Sequence, residues 1–238
     1  MTDRWYSISG EVFDRFPDYV RGVVIARDVK NGQSPPPLVE MLRAAEASLR
    51  ARLDIEKLTS EPRIASWREA FRVLGVKPNE FRSSIEAMTR RVLRDQELPS
   101  INALVDIGNV VSLRRLVPVG GHAIDALTQD IALRPATGEE TFVPFGSDQA
   151  EHPAPGEFVF VEGNTVLTRR WSWRQANHTL TLPETTAIEI NVDALPPVAL
   201  PEVEAICDEV TELVQRFCGG SVRREVLSRQ NPRISLGS

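Results

Sequence analysis

One stretch of this chain concentrates polar side chains where the surroundings are apolar. It is Leu98–Leu127, LPSINALVDIGNVVSLRRLVPVGGHAIDAL. An unpaired polar group in an apolar setting is costly, so each of these needs a partner or a task. Asn102, Asp106, Asn109 and Ser112 fall near helical spacing, and residues three or four apart on a helix are neighbours. His122 follows Gly120-Gly121. Histidine titrates near neutral pH and can donate or accept a hydrogen bond, and a glycine pair lets backbone N–H groups come close to a ligand. His122 is therefore a candidate to contact a ligand or a water, or else a histidine that makes a structural hydrogen bond. The Asp106 carboxylate suits an ammonium group. Asn102 and Asp106 equally suit capping of nearby backbone.

Other candidates lie outside that stretch. Arg82-Ser83-Ser84-Ile85-Glu86 opens a helix, and free N–H groups with hydroxyls at a helix start suit an anion; Glu86 could instead serve a neighbouring cation. Trp171 and Trp173 alternate with polar residues and could stack an exposed base or an aromatic side chain. Arginines cluster at Arg90, Arg91 and Arg94, at Arg114 and Arg115, and at Arg169, Arg170 and Arg174. If these converge they could receive RNA phosphates; as separate clusters they are solvated faces.

The elements that must position these groups are legible from periodicity. Val20–Val29 reads as a strand. After the turn NGQSPPP, apolar Leu42, Ala45, Leu49 and Leu53 recur at helical spacing from Leu38. A second helix is expected over Pro62–Leu74, a third from near Pro78-Asn79, and a fourth over Asn102–Leu116, with the Gly120–Asp125 segment as a loop. Short strands follow at Ile131–Leu133, Thr141–Val143, Phe158–Val161, Val166–Trp173 and Thr186–Val192, separated by Gly and Pro turns. A last amphipathic helix spans Pro201–Phe217. The expected fold is α+β, a single domain of antiparallel sheet layers packed with helices. Residues 1–60 add an N-terminal strand and helix to the same fold, 61–220 form its body and 221–238 a flexible basic tail.

Composition limits the function. The chain has 238 residues, a formal net charge of -5 and 42% hydrophobic residues. That charge argues against binding nucleic acid by bulk attraction, though not against a local basic patch. No apolar run reaches the roughly 18 residues of a membrane span, and the N-terminus lacks a signal core; the expectation is a cytoplasmic protein with no membrane partner. Cys207 and Cys218, in one expected helix, would stand about 16 Å apart, too far for a disulfide. No GxSxG, Walker, HExxH or CxxC pattern is present. His122, His152 and His178 are scattered, so no metal or other cofactor is expected.

Ile101-Asn102, Val105-Asp106, Asn109 and His122-Ala123-Ile124-Asp125 resemble the B3/B4 module of the bacterial phenylalanyl-tRNA synthetase beta subunit, which hydrolyses wrongly charged tRNA. There the stretch runs roughly IN-x-x-VD-x-x-N, with a following loop that ends HAFD. The resemblance covers about residues 60 to 195. It extends to Thr185-Thr186 before the final strand, and it places the family's acidic residue at Glu189 or Asn191. Trp67–Gln96 resembles stand-alone relatives of the module more than the synthetase itself. Arg170–Gln175, RWSWRQ, replaces a glycine-rich stretch (approximately GVMGG), which implies a pocket of altered size and charge. The resemblance implies His122 and Glu189 as catalytic residues. With the residue readings above, the expected substrate site draws on Asn102, Asp106, Asn109, Ser112, Gly120, Gly121, Arg82, Ser83, Ser84, Glu86, Trp171, Trp173, Arg174, Thr185 and Thr186. The expected activity is trans-editing, with tRNA or aminoacyl-tRNA as partner. Two alternatives stay open: a non-catalytic module binding RNA or an amino acid-like ligand, and a hydrolase of small amino acid esters or amides. The amino acid, the tRNA and the oligomeric state are not read from the sequence.

Overall fold

The fold is described from a computed structural model covering residues 4–237. It opens with strand β1 (Trp5–Ile8), the short helix α1 (Gly10–Arg15) and strand β2 (Val20–Arg27). Helices α2 (Pro36–Arg52), α3 (Pro62–Val73), α4 (Ser84–Val92) and α5 (Ala103–Arg115) follow. Then come β3 (Val119–Ala123), β4 (Ile131–Pro135), β5 (Phe158–Glu162), β6 (Thr165–Arg169), β7 (Arg174–Gln175) and β8 (Ala187–Ala194). Helix α6 (Leu200–Phe217) and strands β9 (Ser221–Leu227) and β10 (Arg233–Ser235) complete the chain.

The strands form two sheets, ordered β10-β1-β4-β5-β6-β7 and β3-β8-β2-β9. All strand pairs are antiparallel except β1 with β4. The fold is therefore α+β, as expected. In the smaller sheet, β2 and β8 are β-branched and buried along nearly their whole length, the pattern of strands covered on both faces. Register sorts the two faces. Arg21 lies opposite Asp193, Val23 opposite Asn191 and Ile25 opposite Glu189, and Glu189 opposite His122. Side chains of directly opposed residues share a face, so Arg21, Glu189, Asn191, Asp193 and His122 stand together. The other face, at Gly22, packs on Val203 and Cys207 of α6. Helix α5 is buried on nearly every side, including Leu104, Ile107, Val111 and Leu113.

The expected helices appear with small shifts, and four expectations are corrected. The third helix begins at Ser84 rather than near Pro78, because the Ser83 hydroxyl caps it by accepting from the Glu86 N–H at 3.4 Å. The segment expected as a loop around His122 is strand β3, paired with β8; two glycines hide its strand character. Thr141–Val143 makes only isolated bridges. The tail expected to be flexible is held: β9 pairs with β2 over seven residues and β10 pairs with β1. It satisfies the edge N–H and C=O groups that β2 would otherwise leave open. Among the described residues, no helix is long and apolar enough to cross a membrane.

Candidate functional site

A cavity of about 550 Å³ opens beside α5 and β3. Its walls are largely apolar, from Ile101, Leu104, Val105, Phe145, Phe160, Leu180, Leu182, Ile188 and Ile190, with Trp171 and Trp173. Polar groups converge on it from Arg21, Asn109, His122, Thr168, Gln175, Asn191 and Asp193. A mostly apolar pocket with a few convergent polar groups is the usual form of a small-ligand site.

His122 stands on β3 and is buried. Its Nδ1 lies 2.7 Å from the Thr179 hydroxyl and its Nε2 3.4 Å from that of Thr168. Burial, aided by the positive field of Arg21, lowers its pKa to about 3, so the imidazole is neutral at physiological pH. Two hydroxyls, each able to donate or accept, match a neutral ring with one N–H and one lone pair. The Glu189 Oε1 is 4.0 Å from His122 Nε2. Burial raises the Glu189 pKa to about 8, although Arg21 and a hydrogen bond from Asn191 Nδ2 (3.1 Å) oppose the rise. Arg21 donates from Nη1 to Asp193 Oδ1 at 2.6 Å, and the Tyr19 hydroxyl donates to the same oxygen. The Arg21 guanidinium carbon lies 4.1 Å from the Phe160 ring centre. At neutral pH the cavity floor therefore holds one ion pair and a neutral imidazole, with a protonated carboxyl buried behind them.

Backbone geometry adds a donor. Pro118, Gly120, His122 and Ile124 direct their backbone groups at β8. By alternation the Gly121 groups point to the open edge of β3, where its carbonyl accepts from Gln175 Nε2 at 3.0 Å. The Gly121 N–H lies on that same edge beside the cavity.

The structure separates the sequence candidates into two groups. Ser84, Asn109, Gly120, Gly121, His122, Trp171, Trp173 and Arg174 line the cavity. The others hold the scaffold. Asn102 caps α5, accepting from the Val105 N–H at 3.1 Å and donating to the Thr181 carbonyl at 2.9 Å. Asp106 is fully buried and accepts from Ser34, Ser100 and the Ile101 N–H, so it anchors α5 rather than a ligand ammonium. Ser112 bonds Val119. Ser83 caps α4, and buried Glu86 pairs with Arg68 at 2.7 Å and Arg90 at 2.9 Å, which leaves Arg82 outside the cavity. Thr185 closes its own turn to Leu182, and Thr186 is tied to Asp125. Glu189 lies behind the lining, fully buried.

Trp171 corrects the stacking expectation. It is 1% exposed and packs edge-on against Tyr19 and Trp67, so it cannot stack an exposed base. Trp173 is half-buried, packs on Phe81 and carries Arg170 over its face at 4.4 Å. Arg170 and Trp171 both adopt positive φ, +46° and +64°. Non-glycine residues reach this region at a cost of about 1–2 kcal/mol each. These packed aromatics hold them there.

Sequence reading missed Arg21, Thr168, Gln175, Thr179 and Asp193. The signal for two of them was present. Glu189, Asn191 and Asp193 alternate with Ile and Val in an otherwise apolar strand, and Arg21 is the lone charge in VRGVVIA. The arginine clusters converge only in part. Arg82, Arg90, Arg91 and Arg94 line a second groove of about 470 Å³ that meets the cavity at Trp173. Arg114 and Arg115 pair with Glu209, and Arg169 with Glu151 and Glu157.

Residues 66–220 match the B3/4 domain. The chain belongs to the B3/4 domain family. The matched span supplies α4, α5, α6 and β3 to β8, hence most of the cavity wall, whereas Arg21 and Tyr19 lie outside it. The chain is similar in structure to an N-terminal fragment of the phenylalanyl-tRNA synthetase beta subunit from Pyrococcus horikoshii. The TM-score is 0.50 and the sequence identity 11%, with 98% of this chain and 54% of the fragment covered. The B3/4 chain thus spans about half the length of that fragment, and at this identity the likeness concerns the fold. No curated protein matches the sequence.

Proposed function

We propose that this B3/4 domain chain hydrolyses a mischarged aminoacyl ester, releasing the amino acid from tRNA in trans. The observation that carries the reading is the neutral, doubly hydrogen-bonded His122 on the wall of a mostly apolar cavity of about 550 Å³, beside the edge N–H of Gly121. In this reading the aminoacyl group enters the cavity and the ribose stays at the mouth. Water adds to the ester carbonyl carbon, the carbon–oxygen bond to the ribose breaks, and the ribose oxygen takes up a proton. Gly121 N–H faces the developing oxyanion, the role in which fixed backbone donors are most effective. A histidine with a pKa of about 3 is a weak base. His122 therefore orients the water or ester by hydrogen bonding, and a sugar hydroxyl assists. The groove of Arg82, Arg90, Arg91 and Arg94 receives the RNA phosphates next to the mouth.

Deacylation of tyrosyl-tRNA(Phe) and a panel of other mischarged tRNAs, with His122→Ala alongside, tests the reading. The wild type should release at least one amino acid, and the variant should be slower by about 10²-fold, the loss that misplacing a reacting group brings. His122→Ala turnover near wild type would remove His122 from the mechanism. A second reading, a binding module without catalysis, is favoured by one observation: at neutral pH neither group is an effective base, because His122 holds a proton too weakly and Glu189 already carries one. Absence of release from every tRNA by folded protein would select it.

A further inference from the structure

Among the described residues, three of the five exposed large hydrophobic side chains, Phe145, Ile101 and Leu182, line the cavity. They are 63%, 55% and 45% exposed. Single apolar residues on a surface need no explanation, but three gathered on one apolar cavity mark a binding surface. The backbone fixes this collar. Asn102 donates to the Thr181 carbonyl at 2.9 Å, which ties the residue after Ile101 to the residue before Leu182. Phe145 stands on the turn Pro144–Ser147, closed by the Ser147 N–H on the Pro144 carbonyl at 3.1 Å. Gly146 takes φ of +77° at the third position, where such a turn calls for glycine. The Phe145 N–H donates to the Gln175 carbonyl at 3.0 Å, and the Gln175 side chain holds the Gly121 carbonyl at 3.0 Å. One glutamine thus ties the turn that carries the exposed ring to the open edge of β3.

We propose that Phe145, together with Ile101 and Leu182, is the platform on which the terminal nucleobase of the aminoacylated RNA stacks. The proposal rests on the reading of the cavity as an aminoacyl ester site. With the aminoacyl group inside and the ribose at the mouth, the base is the next group outward, and it meets the collar. Stacking on an aromatic side chain takes any base through its π-face and contributes about 5- to 150-fold in affinity. An apolar peptide would cover the same collar, but the neighbouring charge favours RNA. The groove of Arg82, Arg90, Arg91 and Arg94 meets this cavity at Trp173, and a chain that is anionic along its backbone and apolar on its ring faces is a nucleic acid. Trp171 is sealed and Trp173 carries Arg170 over its face, whereas Phe145 presents its ring to solvent.

Titration calorimetry with non-hydrolysable amide analogues tests it without requiring turnover. The probes are 3′-deoxy-3′-aminoacylamido-adenosines of phenylalanine, leucine and methionine, each paired with its abasic counterpart. The wild type should bind at least one adenosine probe about ten-fold or more tighter than its abasic partner. Phe145→Ala should reduce that ratio to about two-fold or less, and Phe145→Tyr, which restores a ring, should keep it. An exposed turn side chain can be truncated with little effect on stability, so a lost ratio reports the ring. Equal affinity for each adenosine probe and its abasic partner, or a preference that survives Phe145→Ala, would overturn the proposal alone. Binding of no probe would overturn it together with the aminoacyl reading. Base-dependent binding without hydrolysis of the matching esters would uphold the platform and remove catalysis from the proposed function.

Discussion

His122 and Glu189 are displaced in opposite directions by the same cause. Burial disfavours charge, so it lowers the histidine to about 3 and raises the glutamate to about 8. The consequences for stability have opposite signs. Glu189 binds its proton more tightly folded than unfolded, so its contribution is complete below its unfolded pKa, 4.5, and is lost as pH rises through 8. His122 binds its proton less tightly folded, so stability is lost as pH falls from 6.5 toward 3. Glu189→Gln should therefore flatten the fall in melting temperature between pH 6 and 9 and leave the acid limb in place. Thermal melts across that range check it; an unchanged alkaline limb would mean that Glu189 is ionised in the folded protein. The two tryptophans differ as well. Trp171→Ala should cost about 3–5 kcal/mol, as for a buried aromatic. Trp173→Ala should cost less than half of that and alter ligand choice instead, as urea melts and binding assays on both variants would reveal.

Among the elements, β2 is the most constrained. It carries Arg21 to the cavity on one face and packs so closely on α6 at Gly22 that a Cβ there would collide with Cys207 Sγ and come within 2.8 Å of Val203 Cγ1. Gly22→Ala should destabilise by about 1–3 kcal/mol through overpacking. Cys207→Ala in the same chain should recover part of that loss. Chemical denaturation of the single and double variants measures the coupling; additive losses would show that the strand shifts rather than presses on the thiol. Helix α5 was largely legible in the sequence, because Asn102 is a recognisable cap and the apolar positions recur at helical spacing. Strand β3 was not, because Gly120 and Gly121 carry no strand signature and its identity comes from pairing with β8.

For the molecule as a whole, the C-terminal strands tie the two sheets together, β9 on β2 and β10 on β1. Removal of residues 221–238 should lower the melting temperature and promote aggregation, because it opens the β2 edge. Size-exclusion chromatography of the truncated chain would show it, and an unchanged monomer would contradict the role given to β9. Charge acts at the same level. With a net charge of -5, RNA attraction has to come from the local arginine groove. Arg91→Glu with Arg94→Glu should weaken tRNA binding several-fold at low salt and leave amino acid amide binding unchanged. Filter binding across a salt series checks this.

Local chemistry wrote much of this protein into its sequence. Helix positions, buried strands, the importance of the Leu98–Leu127 stretch and the B3/4 family likeness follow from periodicity, capping and short motifs. Folding decided which polar residues serve the scaffold and which face the cavity. Asp106 and His122 look alike as polar residues in apolar sequence, yet three donors absorb Asp106, while His122 is turned toward an open volume. Arg21 reaches the site only because antiparallel register sets it opposite Asp193, 172 residues away along the chain. Such pairing depends on long-range contacts between strands, which no local pattern encodes.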